Sequence, residues 1–124
     1  EWEHAARGDE AHRFAGSDDI NAVGWVLENN EVKSRTVCEK HPNGFGLCDM
    51  SGNLWEWCWD TLGAYPSGPQ TDPVRDIPGV PRVYRGGGWS DKASRSGVAA
   101  RYGYDPKFQV PFQGFRLVRR LPQG

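Results

Sequence analysis

Residues 43–60 read NGFGLCDMSGNLWEWCWD, and their second half alternates: Trp55, Trp57 and Trp59 fall on one side, Leu54, Glu56, Cys58 and Asp60 on the other. Successive side chains of an extended chain point to opposite faces, so residues 53–60 predict a strand with one tryptophan face. Alternating aromatics commonly fill the interior of a small sheet, and this face is expected to be core rather than a platform on which sugars stack. Ahead of the strand lies the turn MSGNLW, flanked by Asp49 and Glu56. Two carboxylates and several backbone carbonyls converging there suit Ca²⁺, which takes about six to eight oxygen ligands. The alternative is that Glu56 and Asn53 simply hydrogen-bond the turn.

Upstream, EWEHAARG places Trp2 and Ala6 a helical turn apart and ends on Gly8, which predicts the last turns of a helix over residues 1–8. It opens without an N-cap, so the chain is expected to be a piece of something longer. Residues 9–43 are polar and turn-rich around a short apolar piece, Trp25 to Leu27. Downstream, prolines and glycines from Thr61 to Pro81 predict a long surface loop. RVYRGGGW, residues 82–89, reads as a strand ending in a glycine triplet, VAAR at 98–101 as a short strand, and GFRLVRR at 114–120 as an alternating one.

The chain has 124 residues, a length that bounds one domain. Fifteen basic and sixteen acidic side chains give a net charge of -1, which leaves no electrostatic footprint for nucleic acid. No apolar stretch approaches the roughly 20 residues of a membrane span, and the N-terminus lacks the pattern of a signal peptide. With 16 glycines and nine prolines, long helices are not expected. His4, His12 and His41 are scattered, with no metal-binding spacing. Of the three cysteines, Cys58 reads as a buried inert thiol, and spacing alone leaves a Cys38–Cys48 bridge open. Arg101 and Arg116, inside apolar runs, are expected to pair with carboxylates or carbonyls, and the RLVRR tail to form a solvated edge.

Four segments in order, EWEHAARG, NGFGLCDMSGNLWEWCWD, RVYRGGGW and QGFRLVRR, together resemble the formylglycine-generating enzyme (sulfatase-modifying factor) family. The longest match is the eighteen residues from Asn43 to Asp60. The resemblance implies an α+β, C-type lectin-like fold: a small, twisted, antiparallel sheet with long loops. Residues 1–124 would form the C-terminal part of such a domain, with its N-terminal part missing. It also implies structural calcium on the side chains of Asp49 and Glu56 and the carbonyls of Gly52 and Leu54. Oxidase members of the family hold copper with two cysteines just after the glycine-rich strand. Here that segment is SDKASRSGVAAR, and no cysteine follows Cys58, so formylglycine generation is not expected.

Another branch implied by the resemblance is the variable proteins of diversity-generating retroelements, which display a ligand-binding surface between the glycine-rich strand and the final GFRLV. The matching stretch here, Ser90 to Gln113, combines Tyr102, Tyr104, Phe108 and Phe112 with Asp91, Lys92, Arg95, Asp105 and Lys107, next to Trp89. Tyrosine and arginine supply broad contact area at low ordering cost. The expected function is therefore a non-catalytic module binding a protein or cell-surface ligand, at the cell surface or outside the cell. The alternative is an oxygen- or redox-dependent enzyme of the same family with a non-cysteine site.

Overall fold

The alternation at 53–60 does form a strand, β1, over Trp55–Thr61, in a computed structural model that describes residues 1–119, 121 and 122. β2 (Arg82–Arg85) runs antiparallel to β1, and β3 (Tyr102–Tyr104) antiparallel to β2. β4 (Gln113–Gly114) pairs parallel to the other edge of β1, giving the order β3-β2-β1-β4. The sheet is thus mixed rather than wholly antiparallel. Helix α1 covers Trp2–Arg7 and ends on Gly8 in the left-handed conformation, as the sequence predicts. A second short helix, α2 (Ile20–Val23), lies in the stretch expected to be irregular; the Asp19 carboxylate caps it by accepting from the Asn21 N–H.

Two strand expectations are corrected. VAAR is a turn: Val98 is drawn into the core beside Ala6, Ala15 and Met50, and its N–H donates to the Arg13 carbonyl. The ladder falls instead on Tyr102–Tyr104, whose rings pack on Trp55, Trp57 and Tyr84. Of GFRLVRR only Gly114 enters the sheet, and residues 115–119 run on outside any strand. Arg116 anchors this segment by its side chain: Nε and Nη2 donate to Glu56 at 2.7 and 2.6 Å, and Nη2 also donates to the Cys48 carbonyl at 2.9 Å. Phe115, Leu117 and Val118 are left exposed, and Arg120 lies outside the described residues.

The turn at Ser51–Asn53 gathers the loops. Gly52 has φ +82°, and a Cβ there would lie 2.5 Å from the Trp25 carbonyl oxygen. Its N–H donates to Gly86 O, the Asn53 N–H donates to Trp25 O, and Asn53 O accepts from the Trp89 N–H. Ser51, fully buried, accepts from the Ala15 N–H and donates to the Ser96 carbonyl. Asn43 closes the end of α1, its amide donating to the carbonyls of Ala5 and Ala6.

Replacing Arg116 by Met would leave Glu56, whose side chain is 9% exposed, buried beside a single remaining donor, Trp2 Nε1. Breaking one partner of a buried ion pair costs about 3–5 kcal/mol. Urea unfolding of Arg116→Met should show a loss near the low end of that range, and Glu56→Gln in the same background should recover part of it.

Candidate functional site

One side of the sheet is aromatic. Trp55 packs on Tyr84 and Tyr102, with ring centroids 4.3 and 5.4 Å apart. Trp57 meets Tyr84 and Tyr104 at 6.0 and 6.5 Å, and Tyr104 meets Phe108 at 5.9 Å. Along this side exposure rises from 1% at Trp55 to 60% at Phe108 and 70% at Trp59. Only part of the tryptophan face is therefore core. The reason lies in the register: the five residues of β1 from Trp57 to Thr61 face only the three of β2 from Tyr84 to Arg82. Such a bulge re-aims side chains, and Trp59 emerges from it.

The closed end is bracketed by charge. Asp91 Oδ2 accepts from Trp55 Nε1 at 2.6 Å, while Oδ1 accepts from Arg95 at 2.9 Å. The Arg95 guanidinium lies over Tyr102 and Trp55, at 4.3 and 5.3 Å from the centroids. Burial pushes the Tyr84 phenol above its ordinary pKa, partly opposed by Arg95. At the open end Arg82 repeats the arrangement, lying over Trp59 at 5.0 Å, pairing with Asp76 at 2.8 Å and donating to the Trp59 carbonyl. A depression of about 290 Å³ continues from Arg82 between Ile77, Val80 and Pro81 on one side and Asp105 and Lys107 on the other.

The residues singled out between Trp89 and Phe112 therefore separate. Asp91, Arg95 and Tyr102 form the bracket of the closed end. Tyr104, Asp105, Lys107 and Phe108 lie at the open end, with Tyr104 half-buried in β3 rather than on a free loop. Trp89 is half-buried and donates to the Pro111 carbonyl at 3.4 Å, Ser90 is half-buried, and Lys92 is exposed. Phe112 is half-buried, and its carbonyl accepts from the Trp55 N–H. Reading the tryptophans as core missed Trp57, Trp59 and Arg82; the signal available was that Trp59 is the last ring before a proline- and glycine-rich loop.

A second concavity, about 550 Å³, is lined by Cys38, Leu47, Asp49, Glu56, Phe115 and Arg116. Cys38 and Cys48 form a disulfide with Cα atoms 5.1 Å apart, resolving the pairing that spacing left open. Asp49 Oδ2 accepts from the Cys38 N–H at 2.7 Å, while Oδ1 is buried with no partner. Burial raises the Asp49 carboxyl above its usual range, against the Cys38 N–H and Arg116, which lower it. Glu56 accepts three hydrogen bonds, from Trp2 and twice from Arg116. A carboxylate offers about four acceptor positions, so one remains. Asp49 thus keeps one oxygen without a partner and Glu56 one acceptor position, and both side chains line this concavity. Among the described residues, no group of three or more His, Cys, Asp or Glu side chains is placed to hold a metal by itself, so backbone carbonyls would have to complete such a site.

The model of the sulfatase-modifying factor enzyme 1-like domain matches residues 1–121. The chain belongs to that family. A formylglycine-generating enzyme of Streptomyces coelicolor is 34% identical over 138 residues, covering 95% of this chain and 44% of that protein. The chaperone protein LppX of Paenibacillus barcinonensis is 29% identical, covering 96% and 46%. Among solved structures, Treponema denticola variable protein 1 superposes with a TM-score of 0.82 at 33% identity, covering 93% of this chain and 43% of that one. The chain thus spans less than half the length of these relatives. PvdO of Pseudomonas aeruginosa, 22% identical with a TM-score of 0.79, shares the fold. In this family member the segment after the glycine triplet carries Asp91, bound to Trp55 and Arg95, and Ser96, fully buried against Gly87.

Cys58, expected to be buried, is half-buried; it is the one thiol outside the disulfide, and loss of solvation there lifts its pKa to about 11. The native protein should accordingly show almost no reaction with a thiol reagent at pH 8 without reductant. Unfolding should release one thiol, and reduction three. Prompt labelling of Cys58 in the native state would contradict this raised pKa.

Proposed function

We propose that the chain is a ligand-binding module and that its ligand seats on the open end of the aromatic side: Trp57, Trp59, Tyr104 and Phe108, with Arg82 and Lys107 at the margin. The observation that carries this reading is the exposure of large rings whose positions are fixed from behind. Trp59 is held by Arg82, itself paired with Asp76, and Tyr104 is held in β3 against Trp57 and Tyr84. Binding surfaces concentrate their energy in Trp, Tyr and Arg, and rings ordered beforehand lose little freedom on association. The likeness to a variable protein and to a chaperone supports a binding role, and the ligand is read as a protein or cell-surface molecule. A location at the cell surface or outside the cell accords with the Cys38–Cys48 disulfide, since such bonds persist in oxidising compartments.

The test is an array of purified ectodomain proteins and glycans probed with the chain, followed by affinities for its hits. Trp59→Ala and Phe108→Ala should each weaken binding by about 2 kcal/mol, with melting temperatures close to wild type because both rings are exposed. Hits indifferent to both substitutions would refute this surface.

Calcium belongs to the same reading as a structural ligand, held by Asp49 and Glu56 with the carbonyls of Gly52 and Leu54. When bound it would supply charge neutralisation to a buried carboxylate. Because the Asp49 pKa is raised in the fold, stability from this group is full below its unfolded pKa of about 3.9 and is lost as pH rises through the folded value. At neutral pH the ionised Asp49 is therefore a cost that a cation would remove. Millimolar calcium should raise the melting temperature relative to EGTA at pH 7, and Asp49→Asn should abolish the difference. Superimposed melts of the wild-type chain would overturn the site.

A further inference from the structure

The fold twice builds the same three-part unit: an aromatic ring, an arginine lying over it and an aspartate gripping that arginine. Arg95 lies over Tyr102 and Trp55 and is bound by Asp91 at 2.9 Å. Arg82 lies over Trp59 and is bound by Asp76 at 2.8 Å. Elsewhere too the chain covers its rings with its own cations: Arg35 and Lys40 over Trp25, Arg85 over Trp2, Arg101 over Tyr65.

Between the two units lies a connected set of rings without one. Trp57, Tyr84, Tyr104 and Phe108 touch in series at 5.8 to 6.5 Å, and among the described residues no cation lies over any of them. An aspartate is nevertheless in place. Asp105 follows Tyr104 directly, is half-buried and uses Oδ1 to accept from the Lys107 N–H. The rings and the carboxylate are present, and the arginine is missing.

We propose that the missing member is supplied by the ligand: an arginine side chain of a protein partner stacks on Trp57, Tyr104 and Phe108 while donating to Asp105. This inference rests on the binding surface proposed above and names what that surface selects. Three observations favour it over the other occupants. The ring planes are inclined to one another by 47–66°, whereas a sugar chain stacks best on coplanar faces. Arg82 is paired with Asp76, whereas among the described residues Asp105 takes only a backbone N–H and no side-chain cation, so that carboxylate and the ring faces make the local potential negative. Arginine rather than lysine makes all but one of the chain's own cation–ring contacts. A guanidinium is weakly hydrated and planar, and it can stack and hydrogen-bond at once.

The test uses three blocked tripeptides, Gly-Arg-Gly, Gly-Lys-Gly and Gly-citrulline-Gly, titrated into the whole chain and followed by tryptophan fluorescence and by NMR shifts of the Trp57 indole. Citrulline keeps the shape of arginine without its charge. The arginine peptide should saturate, with the citrulline peptide about tenfold weaker and the lysine peptide between them. Asp105→Asn and Phe108→Ala should each reduce the arginine response about fivefold or more with unchanged melting curves. Equal binding of arginine and citrulline peptides, an indifferent Asp105→Asn, or saturation by choline in place of arginine would overturn the proposal. If array hits depend on Trp59 yet the arginine peptide neither binds nor displaces them, the ligand class is wrong and the surface stands. If the hits ignore Trp59 as well, both fail.

Discussion

Three consecutive residues, Ser51, Gly52 and Asn53, set what the rest of the chain can do. They are buried and polar, and every polar group placed in such a position must find a partner. Here the partners are the backbones of Ala15, Trp25, Gly86, Trp89 and Ser96, which belong to loops distant in sequence. The turn can reach all of them because Gly52 and Asn53 both adopt positive φ, and a side chain on Gly52 would collide with Trp25. A domain with a core this small replaces part of the usual apolar burial by one dense hydrogen-bonded knot. The positions of the loops then follow from the knot rather than from helices packed on the sheet.

The same economy governs the sheet. β1 leaves the knot at Trp55, whose ring is enclosed and whose indole N–H is bound by Asp91. Its opposite face carries Glu56, which joins Trp2 of the first helix to Arg116 of the C-terminal segment. One strand thus ties the two ends of the chain together by a single carboxylate, while its other face begins the aromatic row. The bulge between Trp57 and Thr61 then turns a core-forming face into a surface. Sequence alternation extends past the point where burial stops, because alternation reports which side a residue points to and not what covers that side.

That distinction decides how much of the molecule was legible in the sequence. The helix at Trp2–Arg7, the strand at Trp55–Thr61, the strand ahead of the glycine triplet and the long loop after Thr61 all follow from local rules: periodicity, a glycine stop, proline density. The structural pairing of Arg101 and Arg116 was legible too, since an arginine within an apolar run needs a partner: Arg101 donates to the Gly63 carbonyl and Arg116 to Glu56. Val98 and Tyr102 were misassigned because short apolar runs do not reveal whether they join a ladder or fill a core. That the aromatics of Ser90 to Gln113 divide between the sheet and the turns around it was not legible for a related reason. Tyr102 and Tyr104 alternate with Gly103, which fits strand geometry as well as a turn, and Gly103 is backed by Leu62 and Pro81 from the far side. The pairing of Arg82 with Trp59 needed a register that no local rule supplies.

A surface that grades from enclosed to exposed separates two demands that usually compete. At the closed end, Asp91, Arg95 and Tyr102 are bound to one another and to Trp55, so substitutions there disturb the fold and the surface together. At the open end the 105–108 turn is held by its own atoms: the Phe108 N–H donates to Asp105 O and the Lys107 N–H to Asp105 Oδ1. A turn closed by local hydrogen bonds keeps its path whatever side chains follow the capping aspartate. Lys107, Phe108 and Gln109 are accordingly free to change without breaking the turn, while Asp105, directly after Tyr104 of β3, is its cap. The architecture therefore leaves side-chain variation to exposed positions of the turn, and it holds the Asp105 carboxylate in place by the turn's own backbone.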